Sequence, residues 1–230
     1  MKQIEILIKN NSYFTREAYK TLRTNISFCG NDNKVICITS CEKNEGKSTI
    51  SVELSKNLCE INKRVLLIDA DLRKSVMLSK NTNESNISGL SQYLAGHLPL
   101  EDVICSTQIE NFDIIFSGQY PPNPSELLNN KRFEELINYA KQHYDYVIID
   151  TPPLGLVIDA AIVASKCDSA IVVIAKNQVK FSRAKSVMEQ LEKSGCKIMG
   201  AIINEVNSQK NKKMNGYYSK YSQYDKYSHY

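Results

Sequence analysis

Val35-Ile36-Cys37-Ile38-Thr39-Ser40-Cys41-Glu42-Lys43-Asn44-Glu45-Gly46-Lys47-Ser48-Thr49 decides how the rest of this chain reads. A β-branched run ends in a loop, and the loop ends in Gly-Lys-Ser-Thr at the start of a helical pattern. Such a loop turns successive backbone N–H groups inward, sends a lysine to the outer phosphates of a ligand and places a hydroxyl on Mg²⁺. The helix that follows aims its positive N-terminus at the same anion. The match to Gly-x4-Gly-Lys-Ser/Thr is incomplete, because Cys41 stands at the first glycine position. Gly-Lys-Ser alone is common in proteins, so the reading rests on its place between a buried strand and an amphipathic helix.

Two further strand patterns end in acids. Val65-Leu66-Leu67-Ile68 is apolar without alternation, as in a parallel strand buried on both faces, and runs into Asp69-Ala70-Asp71-Leu72-Arg73-Lys74. Tyr146-Val147-Ile148-Ile149 closes on Asp150-Thr151-Pro152-Pro153. The carboxyl ends of such strands are where α/β sheets bind ligands. With the phosphate loop they point to Mg²⁺ and to handling of a nucleophile.

Between these landmarks the pattern alternates. Ile50, Leu54, Leu58 and Ile61 form a helical stripe. Helices are expected near Gly89–Ala95 and Leu100–Cys105, and a strand over Phe112–Phe116. Asn123-Pro124-Ser125-Glu126 reads as a helix start, with Asn123 as cap, Pro124 in the first turn and Glu126 completing a capping box. Phe133, Leu136, Ile137 and Ala140 face the core from the next helix. Strands follow at Ala170–Ala175 and Ile198–Asn204, with a helix over Phe181–Lys193 between them, closed by Gly195. This predicts an α/β fold, a mostly parallel sheet with helices on both faces and a phosphate-loop nucleotidase plan.

The N-terminal 14 residues read as an extended lead, and Thr15–Cys29 as a helix stopped by Gly30. Glu17, Lys20 and Arg23 recur at every third residue, within an arc of roughly 120°. The spacing fits a solvated face with one local ion pair, and equally a patch that meets a neighbouring subunit.

The 230 residues suit one domain (1–207) followed by a tail (208–230). No apolar run approaches the roughly 20 residues of a membrane span, and no signal peptide pattern opens the chain, so a cytoplasmic protein is expected. Five of the seven cysteines (Cys37, Cys59, Cys105, Cys167, Cys196) lie in apolar segments, without a Cys-x-x-Cys pair. They read as reduced core thiols, and an iron–sulfur carrier is disfavoured. Residues 210–230 hold five lysines against Asp225, which accounts for the whole net charge of +4. The body is neutral, which argues against a nucleic-acid surface.

The tail is tyrosine-rich. Six of the 13 tyrosines (Tyr217, Tyr218, Tyr221, Tyr224, Tyr227, Tyr230) fall in its last 14 residues, five of them at every third position, with no aliphatic residue among them. Such a segment buries no core. A low-complexity tail does not require that every aromatic residue be tyrosine, whereas phosphorylation requires a hydroxyl.

On Gly46-Lys47-Ser48-Thr49, Val65–Arg73, Val147–Pro153, Asn123–Leu128, the Glu17–Ile26 stretch and the tyrosine cluster, the chain resembles the bacterial tyrosine kinases of capsule and exopolysaccharide synthesis, of the separately encoded cytoplasmic type. The resemblance implies ATP- and Mg²⁺-dependent autophosphorylation of the six tail tyrosines, in trans, within a homo-oligomeric ring. Glu17, Lys20 and Arg23 would make the ring contacts from an N-terminal helix over 15–29. It also implies a membrane adaptor of the polysaccharide co-polymerase type whose cytoplasmic C-terminus activates the kinase and holds it at the inner membrane face, and a cognate tyrosine phosphatase. By the same resemblance Glu42, Lys43, Asn44, Glu45, Gly46, Lys47, Ser48 and Thr49 hold the nucleotide phosphates and Asn204 faces the adenine. Lys47 neutralises the β/γ phosphates. Ser48 ligates the metal, which Asp69 and Asp150 hold through its waters, with Asp71 beside them. Asp71 is assigned the tyrosine proton by analogy with related ATPases; the residues themselves leave Asp69 and Asp71 both open.

Three positions depart from the family pattern. Lys43-Asn44 replaces Pro-Gly, which asparagine tolerates best if φ there is positive. Lys20 replaces an arginine and loses its planar fork. Glu205 follows Asn204 where lysine is frequent. The competing reading is a positioning or partitioning ATPase of the same broad fold that cycles on a surface. Those proteins carry a second lysine five residues before the loop lysine, where this chain has Glu42.

Overall fold

The computed structural model describes residues 2–7, 11–30 and 32–205. The tail and its six tyrosines lie outside the described residues. Eight strands form one sheet: β1 (Lys2–Ile4), β2 (Val35–Ser40), β3 (Val65–Asp69), β4 (Cys105–Thr107), β5 (Phe112–Ile115), β6 (Tyr146–Asp150), β7 (Ser169–Ala175) and β8 (Ile198–Asn204). Their order is β1-β4-β5-β3-β6-β2-β7-β8. Every pairing is parallel except β4 with β5.

The continuous apolar runs explain the layering. Along β2, Val35 and Cys37 pack on one face while Ile36 and Ile38 pack on the other, all without exposed surface. Helices α1 (Tyr13–Phe28), α2 (Lys47–Cys59) and α3 (Met77–Asn81) supply Ile26, Ile50, Leu54, Leu58 and Met77 to the second face. Helices α4 (Leu90–Leu94), α6 (Lys131–His143), α7 (Asp159–Ala164) and α8 (Phe181–Lys193) cover the first, with the short α5 (Pro124–Leu128) adding Leu128.

Several expectations are corrected. The N-terminal lead contains β1, whose register on β4 is prolonged by the Gln108 amide: it accepts from Ile6 N–H at 2.8 Å and donates to Ile6 C=O at 2.6 Å. Helix α1 starts at Tyr13, because Ser12 caps it by accepting from Thr15 N–H. The stretch Leu100–Cys105 is one 3₁₀ turn (Leu100–Asp102), and Cys105 opens a strand. Pairing with β5 and β1 decides that segment, not its local pattern. Ile61 leaves the α2 stripe and is 43% exposed, since α2 ends at Cys59 and Asn62 (φ 58°) reverses the chain. Asn123 precedes α5 without capping it; its amide donates to the Glu126 carboxylate at 2.8 Å instead.

Candidate active site

The loop between β2 and α2 brings backbone geometry and charge to one place. Asn44 sits at φ 63° and Gly46 at φ 89°, so the chain bends twice through the left-handed region before α2 begins. Asparagine holds the first bend at little cost. No side chain caps α2, which leaves its first-turn N–H groups available to an anion.

Glu45 fixes this loop. Its buried carboxylate accepts from Glu42 N–H at 2.6 Å and from Ala175 N–H, at the end of β7, at 3.0 Å. The Asn204 amide donates to Glu45 C=O at 2.9 Å, and its nitrogen would lie 2.1 Å from a Cβ on Gly46. Asn204 therefore braces the loop from the end of β8. The Glu42 side chain is engaged by Arg183 of α8 at 3.2 Å. An open depression of about 540 Å³ lies on that side, between Glu42 and Lys180, Ser182 and Arg183, beside the carboxylates and not over them. Lys43, Asn44 and Thr49 are exposed, and Lys47 and Ser48 are half-buried.

Strand register aligns the acids. Asp69 and Asp150 are direct partners across β3 and β6. Both are buried, at 0% and 1% exposure. Burial, and then the neighbouring Asp150 charge, push Asp69 up to about 8 despite a hydrogen bond donated by Ser75. Burial also raises Asp150, to about 6. The Lys47 charge and hydroxyls of Ser48 and Ser51 oppose that rise. Asp71 is half-buried; its carboxylate accepts from the N–H groups of Arg73 (3.2 Å) and Lys74 (3.0 Å) and acts electrostatically on both other acids. Lys47, Ser48, Asp69, Asp71 and Asp150 thus converge.

Two repelling carboxyls in a dry site are the chemistry a divalent cation relieves, and the Ser48 hydroxyl beside them is a hard oxygen donor. No cluster of three or more His, Cys, Asp or Glu side chains at metal-holding distance exists among the described residues. Ser48, with Asp69 and Asp150 through water, would hold such an ion together with a bound phosphate. Its protonation has a consequence for stability. Without cation, folded Asp69 and Asp150 keep protons that the unfolded chain, near 3.8, has released. Their stabilisation is full below about pH 4 and is lost as pH rises through 6 and then 8. Urea unfolding between about pH 5 and 8 should show this fall, and Asp69→Asn should flatten its upper part. A midpoint equally independent of pH in both proteins would contradict it.

A clamp that sequence reasoning missed stands next to the acids. Arg73 pairs through Nε and Nη2 with the Asp159 carboxylate (2.7 and 3.0 Å), at the start of α7. Nη2 also meets Ser125 Oγ of α5 at 3.0 Å, and Ser125 donates to Asp159 at 2.7 Å. Asp159 has no exposed surface. One guanidinium thereby ties the loop after β3 to those after β5 and β6. Arg73 lies at the end of the acidic motif after β3, but nothing local marks a partner 86 positions away.

The α1 trio does not form one solvent patch. Glu17 and Lys20 pair with each other at 2.8 Å on the surface. Arg23 turns to its own chain, donating to Asn57 C=O at 2.7 Å near the C-terminus of α2, with Glu60 at 3.4 Å. The negative end of that helix attracts it.

The family described as AAA domain matches residues 33–215. The tyrosine-protein kinase CpsD of Streptococcus agalactiae is 45% identical over 193 residues, 84% of this chain and 84% of the relative. Among solved structures, the chimerical protein CapA2B2 superposes with a TM-score of 0.81 at 30% identity, covering 90% of this chain and 94% of that one. The kinase domain of Escherichia coli tyrosine kinase ETK gives 0.75 at 37% identity, with 84% and 77% covered. The septum site-determining protein MinD of Pyrococcus horikoshii OT3, complexed with Mg-ADP, gives 0.64 at 30% identity, with 76% and 71% covered.

Proposed function

Because the chain belongs to the bacterial tyrosine-protein kinases, we propose that it transfers the γ-phosphoryl group of ATP, with Mg²⁺, to Tyr217, Tyr218, Tyr221, Tyr224, Tyr227 and Tyr230 of another copy. The observation that carries this reading is the convergence of Lys47, Ser48 and three acids around an uncapped helix start. Mg-ATP supplies the activated phosphoryl group and part of the charge neutralisation. The loop N–H groups and the start of α2 bind the phosphates. Lys47 sets positive charge against the outer ones, Ser48 directly and Asp69 and Asp150 through water would hold Mg²⁺, which would offset the developing charge, and Asp71 accepts the tyrosine proton. Domain 1–207 does this chemistry; the tail 208–230 receives its product. Asn204 reaches the base from the brace it already makes.

Each phosphotyrosine adds roughly −1.5 to −2 charges, so full labelling would carry the tail from +4 to about −5 or below. That reversal suits a cycle that assembles and disperses a ring, reset by a phosphatase. The polysaccharide setting, a membrane adaptor that recruits the protein to the inner membrane face, and subunit contacts through the helix face of Glu17, Lys20 and Arg23 belong to the same proposal. Among the described residues no helix is long and apolar enough to cross a membrane.

The positioning-ATPase reading has the MinD likeness in its favour. Against it, the second-lysine position is Glu42, already paired with Arg183. Labelled ATP with Mg²⁺ and the adaptor's cytoplasmic segment decides between them. Label should enter the wild-type chain and be lost when all six tail tyrosines become phenylalanine. Phosphate release stimulated by lipid or DNA, without label on protein, would favour the ATPase.

A further inference from the structure

Of the seven tyrosines within the described residues, six are buried or half-buried, and Tyr120 alone is exposed, at 66%. It stands at the catalytic edge of the sheet, on the loop from β5 to α5. That loop is fixed on both sides. Phe116 and Ser117 accept from the N–H groups of Leu90 and Ser91 (2.7 and 3.0 Å), Pro121 is buried, and Ser125 is bonded to Asp159. The phenol is therefore presented from a firm base, within electrostatic reach of the Arg73 guanidinium.

We propose that Tyr120 is a further acceptor for the phosphoryl group this protein transfers, and that its phosphate draws Arg73 away from Asp159 and slows labelling of the tail. The inference rests on the kinase reading above. In the transfer, the Tyr120 O–H bond and the bond from Pγ to the β–γ bridging oxygen break, an Oη–Pγ bond forms, the proton passes to a carboxylate and then to water, and ADP leaves. Phosphotyrosine brings three acceptor oxygens and nearly twice the charge of a carboxylate. Arg73, whose side chain is 35% exposed, can turn to it, while Asp159, fully buried, cannot follow. The loop bearing Asp71, just after the strand that ends at Asp69, then loses its tether to α5 and α7. A brake placed here senses the product of the same active centre.

The test is phosphopeptide mapping of the chain recovered from cells that express it, as wild type, Lys47→Met and Tyr120→Phe. Phosphate should occupy Tyr120 in wild type and vanish in Lys47→Met. Tyr120→Phe should raise tail phosphotyrosine at least about twofold, by removing the added charge. Tail labelling with Tyr120 unmodified overturns this inference alone. Absence of phosphate at every tyrosine overturns the kinase reading and this one with it. Equal occupancy of Tyr120 in Lys47→Met assigns it to another kinase and overturns the inference. Unchanged tail labelling in Tyr120→Phe overturns the brake.

Discussion

Lys47→Met is expected to lower phosphoryl transfer by on the order of 10²–10³-fold, the usual cost of removing one preorganised positive group from developing charge. Methionine keeps most of the stem volume, so packing at the start of α2 changes little. The charge is what is lost. Lys47 is one of the influences that hold the Asp150 carboxyl down, so its removal also leaves Asp150 more protonated and less able to orient the metal side. Stability should move by no more than about 1 kcal/mol, because the side chain is only half-buried. Initial rates with labelled ATP, beside thermal unfolding of the same samples, measure both. A loss smaller than about tenfold would place the lysine away from the transferring group.

Arg73→Met is the second large effect, and it separates folding from catalysis. The substitution leaves the Asp159 carboxylate without surface exposure and with the Ser125 hydroxyl as its remaining partner. Breaking a buried pair from one side costs about 3–5 kcal/mol. The partial exposure of Arg73 favours the lower end, and about 3 kcal/mol corresponds to a fall in Tm of roughly 6–12 °C for a chain of this size. Adding Asp159→Asn removes the stranded charge and should restore most of that stability. Transfer to tyrosine should stay impaired in the double variant, since the loop bearing Asp71 is still untethered. If activity returned with stability, the clamp would serve folding alone.

These two residues show what a sequence discloses. Lys47 lies inside a contiguous motif, and the strand-end acids Asp69 and Asp150 announce themselves because each closes an apolar run. Parallel pairing of β3 with β6 then makes them neighbours, which only the strand order of the fold shows. The helices α2, α6 and α8 were legible from their stripes. Arg73, Ser125 and Asp159 were not, because their meeting depends on the segments after β3, β5 and β6 all leaving one edge of the sheet. Glu45 is expected among the residues that hold the phosphates, and only the fold shows two backbone N–H groups converging on its carboxylate. Strands β1 and β4 are short, three residues each, and exist through long-range pairing that no local propensity encodes. Arg23 belongs with them: its spacing placed it on a face, but the end of α2 decided where it points.

The transfer itself is tested most directly by mixing two inactive halves of the activity. One chain carries Lys47→Met and an intact tail; the other keeps Lys47 and has phenylalanine at all six tail tyrosines. With labelled ATP, Mg²⁺ and the adaptor segment, neither alone should label a tail, and the mixture should label the tail of the Lys47→Met chain. An unlabelled tail in the mixture, while ATP is consumed and wild type labels itself, would contradict transfer from the phosphate loop of one copy to the tyrosines of another.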